Sequence, residues 1–374
     1  MNRTPEPYTT QWVEQYDDFV KLKTQWNALA HRFSPHFFYR HEWFDSAWQW
    51  CQKNHTIQIL TLFKDSQLIG ILPLMVKAEK YKSIHFLQYE FLSVPDTQMC
   101  DIMIMPGHEA IGPILLKLLV KKSGWDKLKL HYLPPTSVLS QVMKTHNPMD
   151  YSIAKTTSHP TVHINTDWGS FYGAKSRRLK KGNNLARNHL QKQGHYQILN
   201  LNTLSEEELL STIQHISKQS WKQSTQTTLN HNGPFQFIQK LSHLAKKNQW
   251  LNIWALKLNQ EIIAYEYQID YQNNIYALRS DYLDTMGHLS PGTYLNWQIL
   301  EKMFERNKSQ YYMGPGENNY KLRWQNDPQP VYTLIAYQNN MTGILLKTIE
   351  QHIMPKVKPL KNHLNNIFIK EKVE

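Results

Sequence analysis

The stretch "GPGENNYKLRW", residues 314 to 324, combines groups that can perform acid, base and anion chemistry. The phenol of Tyr320 can donate a proton, and the cations Lys321 and Arg323 can hold an anionic substrate. Trp324 can form a pocket wall, and the glycines at the start allow the backbone to approach a ligand closely. Taken alone, the stretch is more typical of a hairpin-like loop with surface cations.

Two carboxylates on neighbouring predicted strands are candidate catalytic groups. Glu266 lies in "IIAYEYQID", where alternation places Glu266 and Gln268 on one face and Tyr265 on the other. Asp281 stands near the end of the following strand, in "IYALRSDYL". A carboxylate within a strand can act as a general base or can be solvated on an exposed sheet face, and the residues alone leave both open.

A helix start after that second strand is a candidate phosphate site. Pro291 is favoured in a first helical turn, where its missing N–H costs nothing. Free N–H groups around Ser290, Gly292 and Thr293, together with the helix dipole, can bind the phosphates of a cofactor, and Arg279 adds a cation on the preceding strand. The alternative is an ordinary helix start without a ligand.

A basic stretch, "WGSFYGAKSRRLKKGNNLARNHLQKQG", precedes these segments. Asp167 is a candidate N-cap for a helix in it. Arg177 and Arg178, together with the later aromatic side chain Trp221, are candidate substrate-binding residues. A solvated helix face is the commoner explanation of such a run of cations.

The elements that must position these residues occur twice along the chain. In the first half, "TIQILTLFKDSQLIGILPLMVKA" predicts two strands around a turn at residues 64 to 67, followed by a strand, a loop with Asp101, a helix and a strand. The second half repeats this order from "LNIWALKLNQEIIAYEYQID", with Asp281 in the matching place. The offset of roughly 180 to 195 residues is the size of a compact domain, so we predict two related α/β domains.

Local signals predict several helix starts. Asp17 or Asp18 is expected to cap "FVKLKTQWNALAHRF", and Ser205 with Glu208 is typical of a capping box. The last segment, 341–374, is basic and helical in character.

Composition excludes several classes of protein. With 41% hydrophobic and 12% aromatic residues the chain is globular rather than disordered, and no apolar run is long enough to span a membrane. Neither Cys51 nor Cys100 belongs to a zinc-like pattern, and no HExxH occurs, so no metal is expected. The net charge of +12 attracts polyanions, which include phosphate-rich cofactors, nucleic acids and anionic membranes. We expect a cytoplasmic protein that can associate peripherally with the inner membrane.

The motifs together resemble a known family. In order, "WGSFYGAKSRRLKKGNNLARNHLQKQG", "IIAYEYQID", "YALRSDYLDTMGHLSPGTYL" and "GPGENNYKLRW" resemble the BioF2-like acetyltransferase domain of the GNAT superfamily, found in CelD-type (BcsL-type) polysaccharide proteins and related to the FemABX peptidyltransferases. The resemblance covers residues 165 to 335 strongly and 25 to 135 more weakly. Its pattern falls on Trp168, Phe171, Arg177, Arg178, Ala264, Tyr265, Asp281, Tyr282, Ser290 to Gly292, and Gly314 to Lys321.

The resemblance implies tandem GNAT-like domains, each a mixed twisted sheet flanked by helices. The implied boundaries are 1–165 for a degenerate first domain, 166–340 for the acetyltransferase domain and 341–374 for a basic helical tail. The implied chemistry is acyl transfer from acetyl-CoA, or another acyl-CoA, to an amine or hydroxyl of a sugar, sugar nucleotide or lipid-linked acceptor in envelope or exopolysaccharide synthesis.

The residues divide into three implied roles. The catalytic group is Glu266, Asp281 and Tyr320. The cofactor group is Arg279, Ser290, Gly292 and Thr293. The substrate-binding group is Arg177, Arg178, Trp221, Lys321, Arg323 and Trp324.

Two alternatives remain open. The positive charge is compatible with a FemABX-like transferase that uses aminoacyl-tRNA. The other alternative is a non-catalytic accessory protein of polysaccharide synthesis, which binds a partner or an anionic membrane through its basic tail. It is suggested by Met313, where the family often has Asp, and by the missing Gln/Arg-x-x-Gly-x-Gly/Ala loop of typical GNAT enzymes.

Overall fold

A mixed sheet of 13 strands runs through both halves of the chain. The computed structural model describes residues 8–353 except 147, 221, 223, 224 and 226. The strands are β1 (Tyr8–Val13), β2 (Thr56–Lys64), β3 (Gln67–Tyr81), β4 (Ile84–Phe91), β5 (Met103–Ile104), β6 (Lys127–Leu133), β7 (Tyr151–His163), β8 (Tyr196–Asn200), β9 (Leu251–Leu258), β10 (Glu261–Tyr271), β11 (Asn274–Tyr282), β12 (Gln310–Tyr312) and β13 (Asp327–Tyr337).

Helices cover the sheet. They are α1 (Tyr16–Lys21), α2 (Lys23–Phe33), α3 (His41–Cys51), α4 (Gly112–Lys121), α5 (Val138–His146), α6 (Trp168–Gly173), α7 (Arg177–Gln193), α8 (Glu206–Lys218), α9 (Asn232–Lys247), α10 (Pro291–Glu305), α11 (Asn319–Trp324) and α12 (Met341–Thr348). Short 3-10 turns lie at Phe37–Tyr39, Glu109–Ile111 and Asp284–Leu289, and a π-helical turn follows α12 at Ile349–Ile353.

The strand order shows that the two halves repeat one plan. From its edge, the first half runs β1-β2-β3-β4-β6, and the second half runs β8-β9-β10-β11-β12 from the opposite edge. In each half the first four strands are antiparallel neighbours and the last pair, β4 with β6 or β11 with β12, is parallel. The connection between the two parallel strands contains α4 in the first half and α10 in the second. The predicted repeat of mixed α/β units is therefore confirmed.

The two halves exchange their last strands. β7 comes at the end of the first half but pairs with β12, where Tyr312 faces Thr161. β13 comes at the end of the second half but pairs with β6, where Leu334 faces Leu130. β7 and β13 also pair with each other, which makes the sheet continuous. The predicted boundaries 1–165, 166–340 and 341–374 stay a prediction.

The two predicted hairpin turns are present. β2 and β3 are joined by Asp65 and Ser66, whose φ values of 48° and 64° are typical of a type I′ turn. β9 and β10 turn at Asn259, with a φ of 53°. Short polar residues reach this left-handed conformation more easily than bulky ones, which is why these turns were visible in the sequence.

Most predicted helix caps are confirmed, and one is wrong. Ser205 forms a full capping box with Glu208, and Asp167 accepts from Ser170 at the start of α6. Asp17 and Asp18 do not cap a helix, because α1 begins before them, after Gln15, without a side-chain cap. Asp18 pairs instead with Lys21, and the predicted single helix is divided into α1 and α2.

The end of the described chain carries an apolar surface. Met341, Ile344 and Leu345 of α12 are 89%, 53% and 46% exposed and lie at helical spacing. The remainder of the predicted basic tail, 354–374, lies outside the described residues. Over the described part of the chain no helix has the length and apolar character needed to cross a membrane. In that same part no group of three or more His, Cys, Asp or Glu side chains could hold a metal ion.

Candidate active site

A gap opens in the sheet where β11 and β12 separate. The two strands pair only from Asn274 to Tyr276 and from Gln310 to Tyr312. Beyond Tyr312 the chain follows β7 instead, because Met313 N donates to Pro160 O at 3.1 Å. On the other side of the gap, β11 has a bulge against β10 that leaves Leu278 without a partner. The separated strands leave backbone groups of β11 facing the gap.

A cavity of about 480 Å³ fills this gap. It brings together most of the candidate site residues, which come from three separate segments of the second half. They are Glu266, Asp281, Tyr320, Arg279, Ser290, Gly292, Thr293, Lys321, Arg323 and Trp324. We refer to this space as the reaction cavity; the individual roles of its residues stay predictions.

Glu266 is buried at the centre of a hydrogen-bonding cluster. Its carboxylate accepts from the Tyr311 hydroxyl, from Gln268 Nε2 at 2.7 Å and, over a long 3.5 Å, from Asn296 Nδ2. Burial raises the pKa of Glu266, while these donors and the Lys321 charge act in the opposite direction. A raised pKa brings a carboxylate closer to the range in which a general base works best.

Asp281 enters the cavity from the other face of the sheet. It lies directly across from Tyr265 in the β10–β11 ladder, and the Tyr265 hydroxyl donates to its Oδ2 at 3.0 Å. Its Oδ1 forms an ion pair with Lys222 Nζ at 2.9 Å. Lys222 also donates to Ser280 O. Asp281 thus holds a cation from the segment after α8 against β11.

Lys321 and Tyr320 lie on α11, which the sequence predicted as a loop. Lys321 is buried, and its Nζ donates to the carbonyls of Gly314 and Pro315 at 3.1 Å each. Burial lowers the pKa of Lys321 to about 8, while Glu266 acts to raise it and Lys222 to lower it. The pKa of Tyr320 is raised by burial of its hydroxyl and by the Glu266 charge, whereas Ser280 acts in the opposite direction. Tyr320 as a whole is nevertheless 44% exposed, at the rim of the reaction cavity.

The predicted helix start forms the mouth of the cavity. α10 begins at Pro291, and Ser290 has the left-handed φ of 56° and makes no side-chain cap. Ser290 and Thr293 are exposed there. The 3-10 turn Asp284–Leu289 precedes α10, at the position of the Gln/Arg-x-x-Gly-x-Gly/Ala loop that the sequence lacks. The helix N-terminus is therefore uncapped by its own side chain and points its dipole to the cavity.

Arg279 is occupied by protein groups. Its Nε donates to Asp96 Oδ2 at 3.1 Å, and its Nη1 donates to Thr227 O at 2.6 Å. The guanidinium also lies 5.4 Å from the Trp50 ring centre. Asp96 and Trp50 belong to the first half, so Arg279 connects the two halves beside the cavity. This arrangement gives Arg279 a positioning role in the structure.

The other predicted substrate residues differ in their placement. Trp324 is buried and stacks near Trp168, at 6.3 Å between ring centres. Arg177 and Arg178 are exposed in the first turn of α7 and do not line the cavity, although the next residue, Leu179, does. Trp221 lies outside the described residues.

Sequence reasoning missed the partners of the candidate catalytic groups. Gln268 was visible as the residue two positions after Glu266 on one strand face. Asn296 lies one helical turn after Thr293, a spacing that aims it at the same side of α10. Tyr311 and Lys222 gave no local signal, because only the tertiary fold brings them to the carboxylates.

In the first half, the position between β4 and β6 that corresponds to this gap is filled by the segment after β4. After β4 the chain returns to β6, where Cys100 N donates to Tyr132 O at 2.9 Å. Asp101 then accepts from Ile102 N, Val138 N, Leu139 N and Ser137 Oγ at 2.6–3.1 Å. This carboxylate thereby holds the start of α5. The acid that echoes Asp281 in the sequence has a structural use here.

Comparison with known proteins identifies the fold. Residues 177–322 match the model of the acetyltransferase (GNAT) domain. A search of curated proteins finds no match. Among solved structures, FemX has a TM-score of 0.56 with 10% identity, over 92% of this chain and 100% of that chain.

Two further structures show the same fold. A conserved protein of unknown function from Bacteroides thetaiotaomicron has a TM-score of 0.55 with 9% identity, over 88% of this chain and 100% of that chain. The C-terminal domain (DUF2156) of a putative lysylphosphatidylglycerol synthetase from Agrobacterium fabrum has a TM-score of 0.53 with 9% identity, over 88% of this chain and 97% of that chain. At such identities the likeness concerns the fold alone. Residues 177–322, which include the gap between β11 and β12, thus match a GNAT acetyltransferase domain, and the chain has a fold similar to that of FemX.

Proposed function

We propose that the protein transfers an acyl group from acetyl-CoA, or another acyl-CoA, to an amine or hydroxyl of a sugar, sugar nucleotide or lipid-linked sugar. The observation that carries this proposal is the reaction cavity itself. It joins an uncapped helix N-terminus at one end to Glu266, Tyr320 and Lys321 at the other. The first end suits phosphates, and the second offers groups that move protons and hold charge.

The helix start fits the pyrophosphate of CoA. Gly292 presents backbone at the first turn of α10, where the dipole favours anions, whereas Thr293 N donates to Ser290 O at 3.1 Å and Thr293 therefore offers its exposed hydroxyl. Among the described residues, the first turn of α10 has no acidic side chain that would repel a phosphate. A Cβ added at Gly292 would meet only the Tyr282 ring, at ordinary contact distance. The structure therefore has space for a side chain at this position.

Glu266 is assigned the role of general base and Tyr320 that of general acid. The acceptor nitrogen or oxygen forms a bond to the thioester carbonyl carbon and gives up its proton toward Glu266. The carbon–sulfur bond then breaks, and the leaving thiolate takes the proton of the Tyr320 hydroxyl. The raised pKa of Tyr320 keeps its hydroxyl protonated and makes it a weak acid, so it hydrogen-bonds the leaving sulfur as the charge develops. Backbone N–H groups near the bulge at Leu278 are suited to polarise the carbonyl oxygen.

Lys321 and Arg323 are assigned to an anionic part of the acceptor. Both line the reaction cavity beside Tyr320. A diphosphate of a sugar nucleotide or of a lipid carrier has the charge that these cations would hold. An acceptor of this kind would belong to envelope or exopolysaccharide synthesis in the cytoplasm.

The apolar face of α12 supports a peripheral contact with an anionic membrane. Its exposed Met341, Ile344 and Leu345 precede the segment 354–374, which contains five lysines and two glutamates. Apolar side chains next to a basic segment are the combination that binds an anionic bilayer surface. Co-sedimentation with vesicles that contain phosphatidylglycerol, compared with phosphatidylcholine alone, tests this; equal binding to both, or to neither, would contradict it.

The donor is tested by isothermal titration with acetyl-CoA and longer acyl-CoAs. Thr293→Asp places a carboxylate at the helix start and should weaken binding by about tenfold or more. Thr285→Asp is the matched control, because Thr285 is exposed in the preceding turn and does not line the cavity. Absence of binding by every thioester would refute an acyl-CoA donor. Binding of bulk tRNA that persists at physiological salt would then favour an aminoacyl-tRNA donor.

A further inference from the structure

Asn296 of α10 has a buried carbonyl oxygen that lacks a partner. The residue lines the reaction cavity and is only 5% exposed. Its Nδ2 donates to the Tyr311 hydroxyl at 3.2 Å and, over 3.5 Å, to Glu266 Oε2. Its Oδ1 has no hydrogen-bond partner in the part of the chain that the structure describes. Buried acceptors in proteins are nearly always paired, so an unpaired one beside the candidate base indicates a donor that comes from a ligand.

The neighbours of Asn296 fix the orientation of its amide. Glu266, as a carboxylate, can only accept hydrogen bonds, so the amide atom next to it is the nitrogen. The Tyr311 hydroxyl gives its one hydrogen to Glu266 Oε1 and can therefore only accept from Asn296. An exchange of the amide oxygen and nitrogen would place three acceptors together and lose both hydrogen bonds. Oδ1 is thus the atom that is left to accept from a ligand.

The other side chains that hydrogen-bond to Glu266 are already committed on both sides. Tyr311 donates to Glu266 Oε1 and accepts from Asn296. Gln268 Nε2 also donates to Oε1, at 2.7 Å, and Gln268 Oε1 accepts from Asn252 Nδ2 at 2.5 Å. Among the described residues, Glu266 Oε2 accepts only the long hydrogen bond from Asn296. Two acceptor atoms on neighbouring side chains therefore remain available, Glu266 Oε2 and Asn296 Oδ1.

Two neighbouring acceptors match a nucleophile that has two hydrogens. An uncharged primary amine can donate one N–H to Glu266 Oε2 and the other to Asn296 Oδ1, and its lone pair stays free to attack the thioester carbonyl. A hydroxyl has one hydrogen, and when this hydrogen points to Oε2 the Asn296 oxygen stays unpaired. A site whose buried polar group is left without a partner discriminates strongly against the analogue that lacks the donor.

We propose that Asn296 selects an amine over a hydroxyl as the nucleophile, with Oδ1 accepting the hydrogen that stays on nitrogen. This inference rests on the proposed function and specifies the reacting group of its acceptor. The carbon–nitrogen bond forms at the thioester carbonyl, and one proton moves from nitrogen to Glu266 Oε2. The carbon–sulfur bond then breaks and releases the thiolate to Tyr320. The second hydrogen remains on the nitrogen of the product amide, where it stays bonded to Asn296 Oδ1.

The test compares D-glucosamine with D-glucose, which differ only in the amine or hydroxyl at one carbon, with full-length protein and acetyl-CoA as donor. Asn296→Leu keeps the approximate size of the side chain and removes Oδ1. It should lower kcat/KM for glucosamine by about tenfold or more and leave that for glucose within about twofold. Asn296→Asp keeps an oxygen at this place and should retain the preference for glucosamine. Its charge should also move the acidic limb of the pH–rate profile to higher pH, because a like charge raises the pKa of Glu266.

Asn183→Leu is the matched control. Asn183 on α7 is also buried, its Oδ1 has no partner among the described residues, and its Nδ2 donates to the Tyr172 hydroxyl at 3.2 Å. Unlike Asn296, it does not line the reaction cavity. Its replacement should leave the preference for glucosamine unchanged. A preference that falls equally in Asn183→Leu and Asn296→Leu would contradict the inference, because the packing of a buried amide would then explain both.

Isothermal titration of the same variants with acetyl-CoA separates this inference from the proposed function. Unchanged acetyl-CoA affinity in Asn296→Leu, together with the lost preference, supports the assignment of Asn296. Acetyl-CoA that binds without acetylation of glucosamine, or an equal loss for both sugars in Asn296→Leu, would overturn the inference and leave the donor in place.

A protein that binds no acyl-CoA would refute the proposed donor, and Asn296 is then tested by sugar binding alone. Saturation-transfer NMR measures the affinity for glucosamine and for glucose without a donor. Weaker binding of glucosamine alone in Asn296→Leu would support the role of Asn296, since only the amine offers the second hydrogen. Unchanged glucosamine binding in that variant would exclude it.

Discussion

Glu266 and Asp281 project from opposite faces of the sheet and line the same cavity. Asp281 lies directly across from Tyr265 on β10, and Glu266 is the next residue along that strand, so their side chains point in opposite directions. The gap between β11 and β12 allows both to reach one space. The two carboxylates, which the sequence could not rank, therefore have different surroundings.

Replacement of Glu266 by Gln should lower kcat by about 10²–10⁴-fold, because the amide keeps the shape but cannot accept a proton. It should also remove the acidic limb of the pH–rate profile, since the deprotonated, active form of Glu266 gains population as pH rises past its raised pKa. Asp281→Asn serves as the control and should retain that limb, because Asp281 holds Lys222 in place. An acidic limb that disappears in Asp281→Asn alone would assign the base to Asp281.

Activity should fall as pH rises through about 8, because Lys321 then loses its charge. Lys321→Arg keeps a charge at high pH and should remove this decline in kcat/KM for the acceptor. The stability trend has the opposite sign. Between about pH 8 and the ordinary lysine pKa of 10.5 the unfolded chain binds more protons at this residue, so its contribution to the free energy of unfolding increases with pH. Urea unfolding and initial rates across this range separate the two effects; parallel trends would contradict the assignment.

Removal of the Tyr320 hydroxyl should slow the chemical step and leave binding unaffected. Tyr320→Phe is expected to lower kcat by about 10²-fold with little change in the KM of acyl-CoA, because the leaving thiolate loses its proton donor. Tyr332→Phe, on β13 outside the reaction cavity, is the matched control. A normal kcat in Tyr320→Phe would exclude this residue as the acid.

The ion pair between Asp96 and Arg279 should stabilise the contact of the two halves. Asp96→Asn leaves the buried guanidinium without its charged partner, which typically costs about 3–5 kcal/mol in the free energy of unfolding. Asp18→Asn removes an exposed pair with Lys21 and should cause no measurable change. Chemical denaturation measures both, and equal midpoints would show that the buried pair has no net stabilising effect.

Features governed by local chemistry could be predicted from the sequence. The capping box of Ser205, the cap at Asp167, the start of α10 at Pro291 and the alternation around Glu266 each depend on residues a few positions apart. The helical geometry of Asn319–Trp324 was missed, because glycine and asparagine before it favour a loop.

Contacts between the halves could not be predicted in this way. Asp96 meets Arg279, Gln98 meets Ala277, and His36 meets Tyr276 across a large separation in sequence. No periodicity in the sequence indicates contacts between residues so far apart along the chain. No local pattern predicts these contacts, whereas three motifs in the second half predicted most of the candidate residues that line the reaction cavity.

The exchange of β7 and β13 also imposes an order on synthesis at the ribosome. β6 leaves the exit tunnel long before Asp327–Tyr337, the strand that covers its edge, has been translated. At ordinary elongation rates this interval lasts on the order of 10 to 40 seconds. During that time the nascent first half exposes an open β-edge, which is a template for aggregation. Vectorial folding therefore cannot cover the edge of β6 before the second half is made.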